Sequence, residues 1–241
     1  MNDFGRNGEP TWLALLADLV GSRRVADRGK VQGRLVAAVD ALNARHETEL
    51  AAPLAVSRGD EVQGLFAASP QSRAAAVSVV VALADALHPV EWRCGLGWGG
   101  LTTPLGPQVV RLDGPAFHRA RAALERAQAE GRWLAAEGLG SATERPLEGL
   151  FALMQAARRR WTDRQLEFIR AARDLLQKDV AAHFEVSPST VSESLKAAGY
   201  GAVLEGEAAA ETLLSQFGIE TESGIDSAVE PMDGSKAHGN D

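Results

Sequence analysis

The chain has only one cysteine, Cys94, among its 241 residues. One thiol allows neither an internal disulfide nor a cysteine-rich metal site. No apolar run approaches the roughly 20 residues that a membrane-spanning helix needs. The N-terminus also lacks a basic segment followed by an apolar one, which is the pattern of a secretory signal. We therefore expect a cytoplasmic protein that makes no use of a membrane.

Several familiar catalytic patterns are also missing. The five histidines show no metal-ligand spacing, and no nucleophile-elbow or Cys/His protease pattern is present. Residues 95–100 match the dinucleotide-binding string G-x-G-x-x-G, but Thr102, Thr103 and Pro104 follow it. A dinucleotide site needs a helix N-terminus there to hold the pyrophosphate. Dinucleotide chemistry is therefore excluded.

Charge is unevenly distributed along the chain. The net charge is −7, yet residues 158–200 have eight Lys/Arg against six Asp/Glu, whereas residues 201–241 have one against nine. A mildly basic segment in an acidic protein can still bind nucleic acid, because charge is segregated rather than averaged. Few large apolar residues occur from position 218 onward. We predict that residues 218–241 form a disordered acidic tail.

The periodicity of apolar residues predicts an α+β fold. A first strand is followed by a helix over 25–46, a hairpin over 54–66 with its turn at Arg58-Gly59, a helix from Ser69-Pro70 to residue 87, a strand over 92–98, a helix over 115–128 and a short strand over 133–136. This order is that of a ferredoxin-like, or palm, domain with an extra helix and strand. We assign residues 10–145 to that domain and 146–215 to a helical segment.

Two aspartates are the strongest candidates for a metal site. Asp18 ends the apolar run 12–17, and Asp60 lies at the tip of the hairpin. Two strands joined by one long helix can lie side by side, so both carboxylates could meet at one edge of the sheet. Hard carboxylate oxygens beside glycine backbone suit a Mg²⁺–phosphate site. The alternative is that Asp18 caps a turn and Asp60 is an ordinary hairpin residue.

The motifs around these aspartates resemble known families. Ala17-Asp-Leu-Val-Gly21 and Arg58-Gly-Asp-Glu61 resemble the two metal motifs of nucleotidyl cyclase-like palm domains. The wider pattern resembles the SatD family of bacterial proteins over roughly residues 10–200, through Asp18-Leu-Val-Gly-Ser22, Arg28-Gly-Lys-Val-Gln32, Leu42-Asn43, Gly59-Asp-Glu-Val-Gln-Gly-Leu65 and Asp113-Gly-Pro-Ala-Phe-His-Arg-Ala-Arg121.

The cyclase resemblance implies roles for particular residues. Asp18 and Asp60 would hold Mg²⁺, and the residues expected to bind the nucleotide or its phosphates are Leu19 (through its carbonyl), Gly21, Ser22, Glu61 and Arg121. The helix N-terminus after Gly21 and Ser22 would offer N–H groups to phosphate. Phe117 stands where the cyclases have a phosphate-stabilising Asn, and Val56 lies near the place of their purine-selecting Lys. The resemblance therefore implies binding rather than turnover.

Residues 161–200 predict a DNA-binding helix-turn-helix. Thr162 and Gln165 form a capping box that opens one helix, and Ser187-Pro188 opens the last helix of the motif. Glu185 stands in the turn where such motifs usually have Gly. The residues expected to contact DNA are Ser187, Ser189, Thr190, Ser192, Glu193 and Lys196, with Arg158-Arg159-Arg160 reaching the backbone or forming a solvated face. The alternative is a helical hairpin that serves only packing or dimerisation.

Together these patterns favour a DNA-binding transcriptional regulator with a domain that binds Mg²⁺ and a nucleotide. Its expected partners are double-stranded DNA, a nucleotide and a second copy of the chain, because two-fold operators pair with dimeric readers. One alternative is an enzyme that forms or cleaves a phosphodiester and is regulated by its helix-turn-helix. Another is a degenerate palm domain that serves as a structural dimerisation platform.

Overall fold

A computed structural model of the chain describes residues 10–21, 27–57 and 60–218. In chain order the elements are β1 (Trp12–Leu19), α1 (Arg28–Arg45), β2 (Leu50–Ser57), β3 (Glu61–Phe66), α2 (Pro70–Leu87), β4 (Trp92–Gly99), a 3-10 turn (Val109–Arg111), α3 (Pro115–Glu130), β5 (Leu134–Glu137), α4 (Ser141–Arg158), α5 (Asp163–Ala172), α6 (Gln177–His183), α7 (Pro188–Ala197) and α8 (Tyr200–Gln216). The predicted first helix begins within residues 22–26, which lie outside the described residues.

The five strands form one sheet in the order β2-β3-β1-β4-β5. The pairs β2–β3, β3–β1 and β1–β4 are antiparallel, and β5 runs parallel to β4. This is the ferredoxin-like order with one strand added at the β4 edge, so the predicted α+β fold class is confirmed. The helix starts follow the caps in the sequence: Ser69 accepts a hydrogen bond from the backbone N–H of Ser72, and Pro70 occupies the first turn of α2.

Helices cover both faces of the sheet. Odd-numbered residues of β1, such as Leu13 and Leu15, pack with the buried residues of α1 and α2. Even-numbered residues, such as Leu16, pack against α3. The α3 helix lies very close to β4, because an added Cβ at Gly95 or Gly97 would overlap the backbone of α3. These two glycines, which belong to the string that resembled a dinucleotide site, therefore serve helix packing.

The C-terminal helices share a core with the sheet domain. Buried residues of α4, α5, α7 and α8 belong to the same hydrophobic cluster as α1 and α2, and α8 packs on both α2 and α4. Residue 146, at which we placed a domain boundary, lies inside α4. The fully buried Arg73 of α2 donates to the carbonyl oxygens of Leu214, Ser215 and Phe217, which fixes the end of α8. The predicted tail lies outside the described residues from position 219 onward.

Candidate functional site

The sheet register brings the predicted acidic residues to one end of the sheet. Asp18, at the end of β1, lies directly opposite Glu61, at the start of β3. Asp60 precedes Glu61, so it lies at the same end. Both Asp18 and Asp60 are half-buried. Directly opposed residues of an antiparallel pair point to the same face, and for Asp18 and Glu61 that is the face covered by α3. The two motifs therefore lie at the same end of the sheet, and the sharing of one cation by Asp18 and Asp60 stays a prediction.

The electrostatics of Asp18 are unfavourable for a carboxylate. Burial, followed by the negative charge of Asp60 and then that of Glu61, raises the pKa of Asp18 above its ordinary value. The backbone N–H of Leu19 and the side chain of Gln128 donate to the Asp18 carboxylate and oppose this rise only in part. The Gln128 Nε2 to Asp18 Oδ2 distance is 3.2 Å. A divalent cation between Asp18 and Asp60 would relieve the repulsion, so the donor set fits Mg²⁺.

Glu61 and Arg121, both predicted to bind a nucleotide, are paired with each other. The Arg121 guanidinium donates two hydrogen bonds to the Glu61 carboxylate, at 2.6 and 3.0 Å. Although burial alone would raise the pKa of Glu61, the hydrogen bonds from Arg121, Gln63 and Ser57 bring it below its ordinary value. The side chain of Arg121 remains 43% exposed, and a guanidinium has five N–H donors. It can therefore hold Glu61 and still face an anion.

The remaining predicted loop residues are less informative. Gly21 has a φ of 68°, the left-handed conformation that favours glycine, with open space around it. Ser22, Arg58 and Gly59 lie outside the described residues. Within the described ranges, no group of three or more His, Cys, Asp or Glu side chains could hold a metal ion. A cation at the aspartate pair would therefore need backbone, water or ligand oxygens as well, as Mg²⁺ commonly does.

Sequence reasoning did not find Gln128. It lies two helical turns beyond residue 121 and one turn beyond residue 125 of α3, so it shares the side of α3 that faces the end of β1. Helical spacing from Arg121 could have identified it, once the side of the sheet that α3 covers is known.

The raised pKa of Asp18 leads to a prediction about stability. A carboxyl that binds its proton more tightly in the folded state makes folding less favourable once it ionises, so the cost appears as pH rises through the ordinary Asp range and stays above it. Asp18→Asn should therefore raise the urea midpoint of unfolding at pH 7 in Mg²⁺-free buffer, and the gain should shrink toward pH 4. Asp40→Asn, at an exposed position of α1, is the control. A lower midpoint for Asp18→Asn would show that the carboxylate is a structural cap.

The predicted DNA-contacting residues lie on one exposed helix. Ser187 caps α7, and its hydroxyl accepts a hydrogen bond from the backbone N–H of Thr190. The same hydroxyl lies 2.7 Å from that of Ser189 and 2.8 Å from that of Thr190, so these three hydroxyls are engaged with one another. All six predicted contact residues, Ser187, Ser189, Thr190, Ser192, Glu193 and Lys196, are exposed.

The turn between α6 and α7 has the strained residue that the sequence indicated. Glu185 has a φ of 53°, and it is the one non-glycine residue with a positive φ among the described ranges. Val180 and Ala181 of α6 and Val191 and Leu195 of α7 are buried. The two helices and their turn therefore form where they were expected, and binding of DNA through them stays a prediction.

The Arg158-Arg159-Arg160 run is solvated only in part, because Arg159 and Arg160 are exposed whereas Arg158 is not. Arg158 donates to Asp85 at 2.5 Å, and its guanidinium lies over the rings of Trp133 and Trp161. Arg159 pairs with Glu91. The expectation that Arg158 reaches DNA is therefore wrong, because the buried Asp85 of α2 holds it inside the protein.

Comparisons with known proteins place the chain in context. The family model described as "SatD family" matches residues 12–214. No curated protein sequence matches the chain. A bacterial light-regulated adenylyl cyclase of known structure shares 14% identity at a TM-score of 0.40, covering 52% of this chain and 74% of that chain. For the guanylyl cyclase Cya2 the identity is 17%, the TM-score 0.37 and the coverage 48% and 70%. The family match spans the sheet and the helices that follow it.

Proposed function

The chain belongs to the SatD family, and from the geometry of the sheet end we propose that it is a regulatory protein that binds a nucleotide with Mg²⁺ and binds DNA through α7. The observation that carries the first half is that Asp18 and Asp60 lie at one end of the sheet, where burial and then the negative charge of Asp60 raise the pKa of Asp18. Two carboxylates at one site lower the stability of the folded protein when no cation is bound. Such a pair is useful when a cation binds between the two side chains.

The groups around the pair suit a phosphate-bearing ligand. Asp18 and Asp60 would supply oxygens to Mg²⁺, which usually keeps one or two carboxylates, several waters and substrate phosphates. Arg121 has donors beyond those that hold Glu61, and an arginine fork matches phosphate oxygens. The open, left-handed Gly21 lets a phosphate approach the backbone. When bound, the cation would supply charge neutralisation for the phosphates.

Binding without turnover is the better-supported role. Phe117, which replaces the phosphate-stabilising Asn of the cyclase motif, is buried in the contact between α3 and the sheet. An apolar ring offers no hydrogen bond to a transferring phosphoryl group, whose transition state needs preorganised donors. Val56, near the place of the purine-selecting Lys, offers none either.

Metal-dependent nucleotide binding is tested by thermal shift. The full-length protein should gain thermal stability with a nucleoside triphosphate plus MgCl₂, and the gain should fall by more than half with either component alone. Asp18→Asn and Asp60→Asn should each abolish the Mg²⁺-dependent part, because one ligand of the cation is lost. The exposed Asp40→Asn is the matched control and should behave as wild type.

Other outcomes of the same experiment separate the alternatives. Equal shifts for all three variants would contradict the metal pair. Steady product formation from the triphosphate, lost in Asp60→Asn, would overturn binding without turnover and favour a phosphodiester-forming enzyme. No shift with any nucleotide would favour the structural platform.

The second half of the proposal rests on the surface of α7. Ser192, Glu193 and Lys196 are exposed on a helix whose N-terminus is free of the core. Short polar side chains on such a helix can read base edges in the major groove, and Lys196 can meet a phosphate. Glu193 can accept a hydrogen bond from the amino group of cytosine, but its charge repels phosphate. It therefore favours sequence specificity over tight non-specific binding. The small excess of basic residues in this segment implies that a dimer supplies the remaining affinity.

DNA binding is tested on duplexes enriched from genomic fragments at low salt. Lys196→Ala should weaken binding to all sequences. It should also reduce the magnitude of the slope of log K against log salt concentration by about one. Ser192→Ala should weaken binding to the preferred duplex and leave non-specific binding unchanged. Lys30→Ala, on the exposed start of α1, controls for loss of one positive charge. Failure to enrich any DNA would leave α6 and α7 as a packing element.

A further inference from the structure

A small cleft lies beside the buried arginine of α4. It opens between the end of α2, the start of β4 and the last turn of α4, and its volume is about 250 Å³. Its lining includes His88, Trp92, Trp133, Gln155, Arg158 and Arg159. Drug-sized ligands occupy pockets of roughly 300–1,000 Å³. The cleft is therefore suited to a smaller molecule.

Two buried donors at this cleft have no acceptor. The indole Nε1–H of Trp92, a residue only 3% exposed, and Nη1 of Arg158 make no hydrogen bond with any described residue. Arg158 is otherwise well fixed, since Nη2 donates to Asp85 and the guanidinium stacks near Trp133 and Trp161. Buried donors are almost always satisfied in native proteins. Both nitrogens have almost no accessible surface, so an acceptor in the cleft would reach them when the neighbouring side chains of the lining move apart.

The chemistry of the lining identifies the class of that acceptor. Arg93, Arg158 and Arg159 line the cleft with one carboxylate, Glu91. Glu91 is shared by Arg93 and Arg159, and Asp85, the partner of Arg158 behind the cleft, is shared with Arg173, so positive charge is in excess. The cleft therefore favours an anion. Trp92 and Trp133 provide aromatic walls on which a flat ring can pack. Two unmet N–H groups match the two oxygens of one carboxylate, whereas a doubly charged tetrahedral phosphate would leave oxygens unsatisfied.

We propose that this cleft binds a small aromatic carboxylate, with the carboxylate on Trp92 Nε1 and Arg158 Nη1 and the ring between the tryptophans. The site is separate from the aspartate pair. Trp92 is paired with Leu19 in the sheet register, and its side chain belongs to the core on the α1 and α2 face. Asp18 projects toward α3 on the opposite face. The inference does not depend on nucleotide or DNA binding.

The test uses benzoate and the indole N–H signals of the full-length protein in ¹H–¹⁵N spectra. The chain has five tryptophans, and the signal that disappears in Trp92→Phe identifies Trp92. Benzoate should move that signal downfield in a saturable way, because its N–H gains an acceptor. Trp92→Phe keeps an aromatic ring and removes the donor, so it should weaken benzoate binding about ten-fold or more, the loss expected for one hydrogen bond to a charged acceptor.

Matched probes and variants make the outcome decisive. Trp98→Phe, at a ring that packs on Phe217 away from the cleft, should bind benzoate as wild type does. Arg159→Gln should weaken binding by removing charge at the rim. The neutral isostere benzamide and inorganic phosphate should leave the Trp92 signal in place. Three results would each overturn the proposal. The Trp92 signal would not move with benzoate at roughly 50-fold excess over protein, in the millimolar range of weak ligands. Benzamide would produce the same shift as benzoate, or phosphate would displace benzoate.

Discussion

Asp85→Asn is expected to lower the free energy of unfolding by about 3–5 kcal/mol, the usual cost of breaking a buried ion pair. Asp85 lies on α2 and is only 5% exposed. Its carboxylate accepts hydrogen bonds from Arg158 and Arg173, both at 2.5 Å, and its backbone carbonyl accepts one from Arg170. Asparagine keeps the size of the side chain but leaves the Arg158 guanidinium without its counter-charge, and Arg173 then keeps only its pair with Glu207. Urea unfolding of the full chain measures the loss.

The control for Asp85 is a pair of the same chemistry at the surface. Arg45 and Asp174 lie 3.6 Å apart with side chains 63% and 72% exposed. Asp174→Asn should therefore change the free energy of unfolding by no more than about 1 kcal/mol. Equal effects of the two variants would show that the Asp85 cluster contributes no more than an exposed ion pair.

Gly97→Ala is expected to be the other strongly destabilising change, by about 1–3 kcal/mol or more. A Cβ at Gly97 would overlap the carbonyl oxygen of Ala116 and the backbone nitrogen of Ala120. These are helix backbone atoms, so α3 would have to move away from β4 as a unit. The thermal unfolding midpoint of the variant measures the effect.

A second glycine provides the opposite expectation. Gly33, inside α1, is exposed and has open space where a Cβ would lie. Gly33→Ala should therefore stabilise the protein by about 0.5–1 kcal/mol, the helix-propensity difference. Destabilisation of similar size in both variants would mean that the α3–β4 approach is looser than the structure indicates.

Local signals in the sequence were sufficient for most of the fold. The Ser69-Pro70 and Ser187-Pro188 pairs fixed the starts of α2 and α7, because each pair meets the requirements of a helix N-terminus without help from distant residues. The approach of Asp18 to Asp60 was also predictable. It follows from the antiparallel pairing of β1 with β3, in which Asp18 lies opposite Glu61.

Features that depend on distant residues were not predictable. Asp85 interrupts the apolar C-terminal half of α2 and has the sequence pattern of a solvated charge. Its partners, at the ends of α4 and α5, are 73 and 88 residues away. The glycines of β4 matched a nucleotide-binding string, because the sequence alone does not show which helix approaches them. Arg158 appeared to belong to a basic surface run for the same reason.

The contact of Arg73 with the end of α8 has a consequence for synthesis on the ribosome. Its guanidinium donates to the carbonyl oxygen of Leu214, which is 141 residues further along the chain and is synthesised later. At about 5–20 residues per second, translation needs roughly 7–28 s to cover that distance. During this interval the apolar side of α2 that α8 later covers has no partner within the nascent chain. The growing polypeptide therefore passes through a stage in which the sheet is complete but the apolar surface of α2 around Arg73 is uncovered. Transiently exposed apolar surface of this kind is prone to aggregate and is what chaperones shield.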